Sequence, residues 1–219
     1  MNYLAHGRRF VEQPYFLAGT AVPDWLNVVD RKVRVRAKRA LPMIDDADPQ
    51  VAAVAQGIAQ HHHDDDWFHR TRAFAELSLQ FTVHVRDQLP RDNGLRPGFL
   101  GHILVELLLD AVLIEEDPGL LDAYYDAVGQ VDPHVVGRAV NRMSTKTTDD
   151  LPRFIQLFIR ERFLYDYAED AKLVYRLNQV LRRVKLAALP EDFQRLLPSA
   201  RREVFDRKRE LITPAGDVT

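Results

Sequence analysis

The chain has 219 residues, of which 46% are hydrophobic and 28% charged, with a formal net charge of −2. That balance reads as a globular protein able to bury a sizeable core, and its near-neutral charge gives no overall pull toward nucleic acid or an anionic membrane. The absence of cysteine excludes disulfides and thiolate metal sites, so any metal must be held by nitrogen and oxygen, a donor set suited to Zn, Mn, Fe or Mg.

The opening residues lack the charged-then-apolar layout of a secretory signal. The 107–109 region reads as too short and too interrupted by polar residues to span a bilayer. The default expectation is a cytoplasmic protein with no membrane span and no nucleic-acid partner.

In chain order, residues 3–12 predict a short helix and residues 14–22 a second one ending at Pro23-Asp24. Asp48-Pro49 reads as an N-cap followed by proline at the first helical position. From there Val51, Val54, Ile58, His61, Asp65 and Phe68 follow helical spacing, and the pattern runs on through Phe74, Leu77 and Phe81 toward Leu89. Residues 90–97 read as a loop, and Pro97-Gly98 opens a helix that is almost wholly apolar over 99–114. Asp117-Pro118 and Asp132-Pro133 each start another helix. Two long amphipathic segments follow at roughly 151–166 and 168–187, with a last helix at 191–211. No convincing two-residue alternation is evident. The reading is an all-α, single-domain helical bundle of about eight to ten helices over residues 1–212, with a flexible tail at 213–219.

Three polar residues interrupt the 99–114 segment: His102, Glu106 and Asp110. Spaced four apart, they project along one stripe of a helix. An all-round apolar helix is buried, and buried carboxylates must be paired, hydrogen-bonded or bound to a metal. The bland alternative is an internal hydrogen-bond network without catalysis.

A second constellation is the stretch from His61 through Arg70. In one continuous helix, His61, Asp65 and His69 share a face, in register with the inward positions Val51, Val54 and Ile58. Asp24, after Pro23 and before Trp25, is either a metal ligand or the N-cap of a following helix. His6 is either a ligand or a hydrogen-bonded core residue. The basic run at 31–39 is either a solvated helix face or a docking site for an acidic partner. No phosphate-binding glycine loop, Gly-x-Ser-x-Gly motif or His-Glu-x-x-His helix is present, so a nucleophile is best supplied by metal-activated water.

The opening Met1-Asn2-Tyr3-Leu4-Ala5-His6, then Gly19 with Asp24 five residues on, then Gly57-Ile58 with His61 and Asp65, resemble the acyl carrier protein phosphodiesterase family. The resemblance covers roughly residues 1–115. It implies an all-helical fold related to the HD-domain metal-dependent phosphohydrolases and a divalent metal, Mn first, with Fe, Zn or Mg as alternatives. The implied reaction is hydrolysis of the phosphodiester joining 4′-phosphopantetheine to acyl carrier protein, in lipid metabolism.

Under that resemblance His6, Asp24, His61, Asp65, His102 and Asp110 are the expected metal ligands or their supporting partners. Asp24 or Glu106 is the expected proton acceptor, and Arg70 or Arg72 is expected to bind phosphate in place of the family arginine that His62 replaces. The chain departs from the family pattern at Thr20, His62, His69 and Gly101, where the family carries Asn, Arg, Asp and Asp. A shorter resemblance, in the Gly19 to Asp24 stretch and the His102-x-x-x-Glu106 spacing, is to all-α zinc-dependent phospholipase C and related nucleases. A non-catalytic protein retaining the fold is the remaining alternative.

Overall fold

Proline and aspartate punctuate this chain and set where its helices begin. The structure, a computed structural model, describes residues 1–88 and 96–214. Within them lie α1 (Tyr3–Gly7), α2 (Pro14–Val29), α3 (Ala37–Ala40), α4 (Pro49–Phe68), α5 (Arg72–Gln88), α6 (Pro97–Glu116), α7 (Pro118–Gly129), α8 (Pro133–Met143), α9 (Leu151–Glu161), α10 (Asp170–Arg183) and α11 (Leu197–Ile212), with 3-10 turns at Leu41–Met43, Phe163–Ala168 and Glu191–Leu196. No strand occurs among the described residues, and the all-α expectation holds. The 90–97 loop lies outside the described residues up to position 95, as does the tail beyond residue 214.

The predicted caps are in place. The Asp48 carboxylate accepts from the Gln50 backbone N–H at 2.9 Å, and Asp132 accepts from the His134 N–H at 2.8 Å. Two predicted boundaries move. The α2 helix does not stop at Pro23 but runs through it to Val29, so Asp24 lies inside the helix and is not an N-cap. The long predicted helix after Asp48 breaks at residues 69–71. There the Thr71 hydroxyl donates to the Phe68 carbonyl at 2.8 Å and accepts from the Phe74 N–H at 3.2 Å, closing α4 and opening α5.

The chain divides into two compact units: residues 2–66 with 119–163, and Met1 with 67–118 and 164–219. The core of the first unit gathers Leu4, Leu17, Trp25, Tyr124 and Phe158, all nearly inaccessible. The Trp25 and Phe158 rings meet edge-on at 5.3 Å. In the second unit α6 packs against α5 and α11. By length and composition α6 is apolar enough to cross a membrane, with a mean hydropathy of 1.8, contrary to the reading of its 107–109 region; two thirds of it is buried inside the protein. Each fully buried leucine of such a helix stabilises by about 1.5–3 kcal/mol.

Glycine sets how closely the helices cross in each unit. A Cβ on Gly57 of α4 would lie 2.0 Å from the Phe16 carbonyl oxygen, and one on Gly19 of α2 would lie 2.4 Å from that of Val54. The backbones of α2 and α4 therefore touch. In the second unit a Cβ on Gly101 would lie 2.4 Å from Thr82 Oγ1 and 2.5 Å from the Ser78 carbonyl oxygen, so α6 rests on α5 in the same way.

Candidate metal centre

One helical turn beyond the Gly19–Gly57 crossing, His61 reaches back from α4 to α2. Its Nδ1 lies 2.8 Å from the Thr20 carbonyl oxygen. A carbonyl only accepts, so Nδ1 carries the proton and Nε2 is left facing the other way.

His61 Nε2 faces Asp65, one turn along α4, at 3.4 Å. The second Asp65 oxygen lies 3.3 Å from Nε2 of His6, carried by α1. His6 Nδ1 in turn lies 3.5 Å from Asp64. Asp64 is only 2% exposed and also accepts from the Gln60 side-chain amide at 2.8 Å. The His6 and His61 rings stack at 4.0 Å, tilted by 26°. His6, His61 and Asp65 thus offer donor atoms all within 4.8 Å of one another.

The donors of this cluster could hold a cation. Burial pushes the Asp65 carboxyl up, but the two imidazoles facing it outweigh burial and hold it well below the usual carboxylate range. With both Nδ1 atoms turned toward acceptors, the two Nε2 atoms and the Asp65 carboxylate converge on one point, where a divalent ion could take all three. His6 Nε2 is fully buried and makes no properly aligned hydrogen bond, as a ligand-directed nitrogen would. The imidazole-plus-carboxylate set, with an imidazole N–H anchored on a backbone carbonyl, has the chemistry of a zinc, manganese or iron site.

The other predicted residues fall elsewhere. Asp24 is partly buried on α2, one turn past Thr20, and is not among the clustered donors. His102 and Glu106 do not join His6 and His61; they belong to the second unit, where His102 Nε2 lies 3.2 Å from Glu106. The stripe they share with Asp110 is not uniformly buried. The side chains of His102 and Glu106 are 45% and 18% exposed, whereas Asp110 is wholly buried.

His69 leaves the His61–Asp65 face because the Thr71 cap ends α4 before it. It lies 3.0 Å from the same Glu106 oxygen. The Met1 amino nitrogen is 3.6 Å from that oxygen. Burial raises Glu106, but the Met1 amine and the two imidazoles overcome it and keep the carboxyl well below its ordinary range.

Arg70 and Arg72 lie in the second unit. Arg72 is spent on Glu76, 2.6 Å away. The cation at the rim of the first cluster is instead Arg9, half-exposed and 3.8 Å from Asp64. Sequence reading missed Arg9, Asp64 and the partnership of His69. The signal for His69 was the Thr71-x-x-Phe74 cap.

The basic run is a helix face only at Lys38 and Arg39, exposed on α3; before it the run is not helical. Val33 and Val35 are buried while Arg34 and Arg36 are exposed, the alternation of an extended segment. The Val35 carbonyl accepts from His62 Nε2 at 2.8 Å, which pins this segment to α4. Comparison with protein-family models, curated proteins and solved structures found no match for this chain.

Proposed function

We propose that this protein is a metal-dependent phosphoric diester hydrolase whose cation is held by His6, His61 and Asp65. The observation that carries the reading is that both Asp65 oxygens face an imidazole Nε2, at 3.3 and 3.4 Å, while His61 is anchored through its other nitrogen. A divalent cation there would supply Lewis acidity and lower the pKa of bound water.

The chain's own residues do the rest. Thr20 fixes the His61 tautomer. Asp64, held by Gln60, orients His6 and accepts from its Nδ1. Arg9 meets a phosphate oxygen at the rim, where charge grows in the transition state. The resemblance gives the proton-acceptor role to Asp24, on the adjoining turn of α2. The substrate class comes from the resemblance of the N-terminal half to acyl carrier protein phosphodiesterases of the HD-domain type, with manganese as the leading metal. The exposed Arg34, Arg36, Lys38 and Arg39 in the same unit suit an acidic carrier protein.

The test is hydrolysis of holo-acyl carrier protein, and separately of bis-p-nitrophenyl phosphate, by chelator-stripped protein reloaded with Mn, Fe or Zn. His61→Ala and Asp65→Ala should each lose at least about 100-fold in kcat/KM. Arg9→Ala should raise KM more than it lowers kcat. Metal-independent turnover, or full activity in Asp65→Ala, overturns the proposal.

A further inference from the structure

The second unit carries its own convergence of donors. His69 Nε2 lies 3.0 Å and His102 Nε2 3.2 Å from one and the same Glu106 oxygen, and the three groups offer donor atoms all within 4.8 Å. Each reaches that point by a different constraint. Glu106 stands one turn from His102 on α6, whose approach to α5 depends on Gly101. His69 sits in the turn that Thr71 closes. Phe74, at the start of α5, packs its ring against both imidazoles at 4.8 and 4.9 Å, which holds them in place with their centroids 4.9 Å apart.

We propose that His69, His102 and Glu106 form a second metal site that takes a divalent first-row transition ion, zinc above all, with coordination positions open to solvent. Two imidazole nitrogens and one carboxylate make a three-ligand set, and three protein ligands with water in the remaining position is the pattern of reactive zinc sites. A closed structural site would be covered. Here the His69 and His102 side chains are 33% and 45% exposed. The Met1 amine and the two imidazoles are the groups that face Glu106. The site differs from the His6, His61, Asp65 cluster in its ligands, in its unit and in its openness.

Cobalt(II) titration of chelator-stripped, untagged protein tests this, read by d–d absorption and by metal content after gel filtration. The wild type should bind two equivalents. His69→Ala and His102→Ala should each lose one equivalent and its share of the visible bands, with the apo-protein's far-UV circular dichroism unchanged because both positions are partly exposed. His61→Ala should keep this site. Inorganic phosphate should shift the bands that remain in His61→Ala, as it reaches an open coordination position.

Retention of the full wild-type complement by both His69→Ala and His102→Ala overturns the second site without touching the first. A single equivalent that His61→Ala removes does the same. One equivalent that survives His61→Ala but is lost in His102→Ala keeps this site and sinks the first.

Discussion

The two donor clusters are built from the same three side-chain types yet differ in how they are enclosed. His6 and His61 are buried, stacked, and tied at the back to Asp64 and a backbone carbonyl; His69 and His102 lie at the surface and are held by a phenylalanine. The first cluster is over-determined by hydrogen bonds, the second by ring packing. A polar anchor fixes tautomer as well as position, whereas an aromatic wall fixes position alone. The first should therefore bind its ion more selectively, and the second should exchange its ion and outer ligands more readily.

What the clusters share is a glycine crossing beside them, and this gives the strongest way to separate them. Gly57→Ala should be the most damaging single change in the first unit. Alanine gains about 1 kcal/mol of helix propensity over glycine. Its Cβ would fall 2.0 Å from the Phe16 carbonyl oxygen and 2.8 Å from Gly19 Cα, contacts with backbone that no rotamer can relieve. Overpacking of this kind costs about 1–3 kcal/mol or more, so the clash wins. Parting α2 from α4 also draws His61 away from Thr20. The expected result is a fall in chemical-denaturation midpoint together with loss of the metal equivalent proposed at Asp65. A stable Gly57→Ala protein with full metal content would show that the crossing does not position the site.

Gly101→Ala is the matching change in the second unit and should be milder. The nearest atom to its Cβ is the Thr82 hydroxyl, a side chain that can turn, although the Ser78 carbonyl oxygen at 2.5 Å and the Thr82 backbone nitrogen at 2.7 Å cannot. Part of the cost is offset by propensity. The expected loss is in cobalt affinity at His69, His102 and Glu106, by roughly 10-fold on the scale of changes that misplace a metal's supporting residues. Affinity at His61 should hold. The same crossing explains why an aspartate before His102 would not fit here: α5 fills the space any side chain would need. If Gly101→Ala weakens both sites equally, the two units do not hold their ions independently.

Much of this architecture was legible from residue order. The Asp-Pro pairs at 48, 117 and 132 and the Pro97 start mark helix openings because each combines a capping carboxylate or a free N-terminus with a pre-set φ. The His61–Asp65 pair was legible from its register with Val54 and Ile58. Phe74, Leu77 and Phe81 keep helical spacing among themselves, but Phe74 follows Phe68 by six residues, a jump in phase that coincides with the break at 69–71 and with the Thr71 cap. Missing that break misassigned His69, Arg70 and Arg72 together. Pro23 misled in the opposite sense, since a proline usually ends a helix and here tertiary contacts at Trp25 and Leu26 carry α2 past it. Gly19 and Gly57 were visible as motif positions, but contact between them is a three-dimensional fact. So is the convergence of His6 with residues some 55 positions away.

The smallest expected effect concerns the link between the basic segment and α4. His62 is partly buried, and burial lowers its pKa, with its Val35 hydrogen bond pulling weakly the other way. Charging a desolvated ring costs the folded state, so the unfolded chain takes up this proton first as the pH falls. The contribution of His62 to stability is therefore whole above about pH 6.5, the ordinary histidine value, and diminishes as the pH drops toward the lower folded value. His62→Gln keeps an N–H for the Val35 carbonyl and removes the titration. Melting temperatures of metal-free wild type and His62→Gln, compared from pH 7.5 down to 5, should converge at the alkaline end after a constant offset. The wild type should then fall more steeply below about pH 6.5. Other titrating groups are common to both proteins and cancel in the difference. Parallel curves throughout would mean that His62 is solvated in the folded chain, and that Arg34 and Arg36 are not fastened beside α4 by its ring.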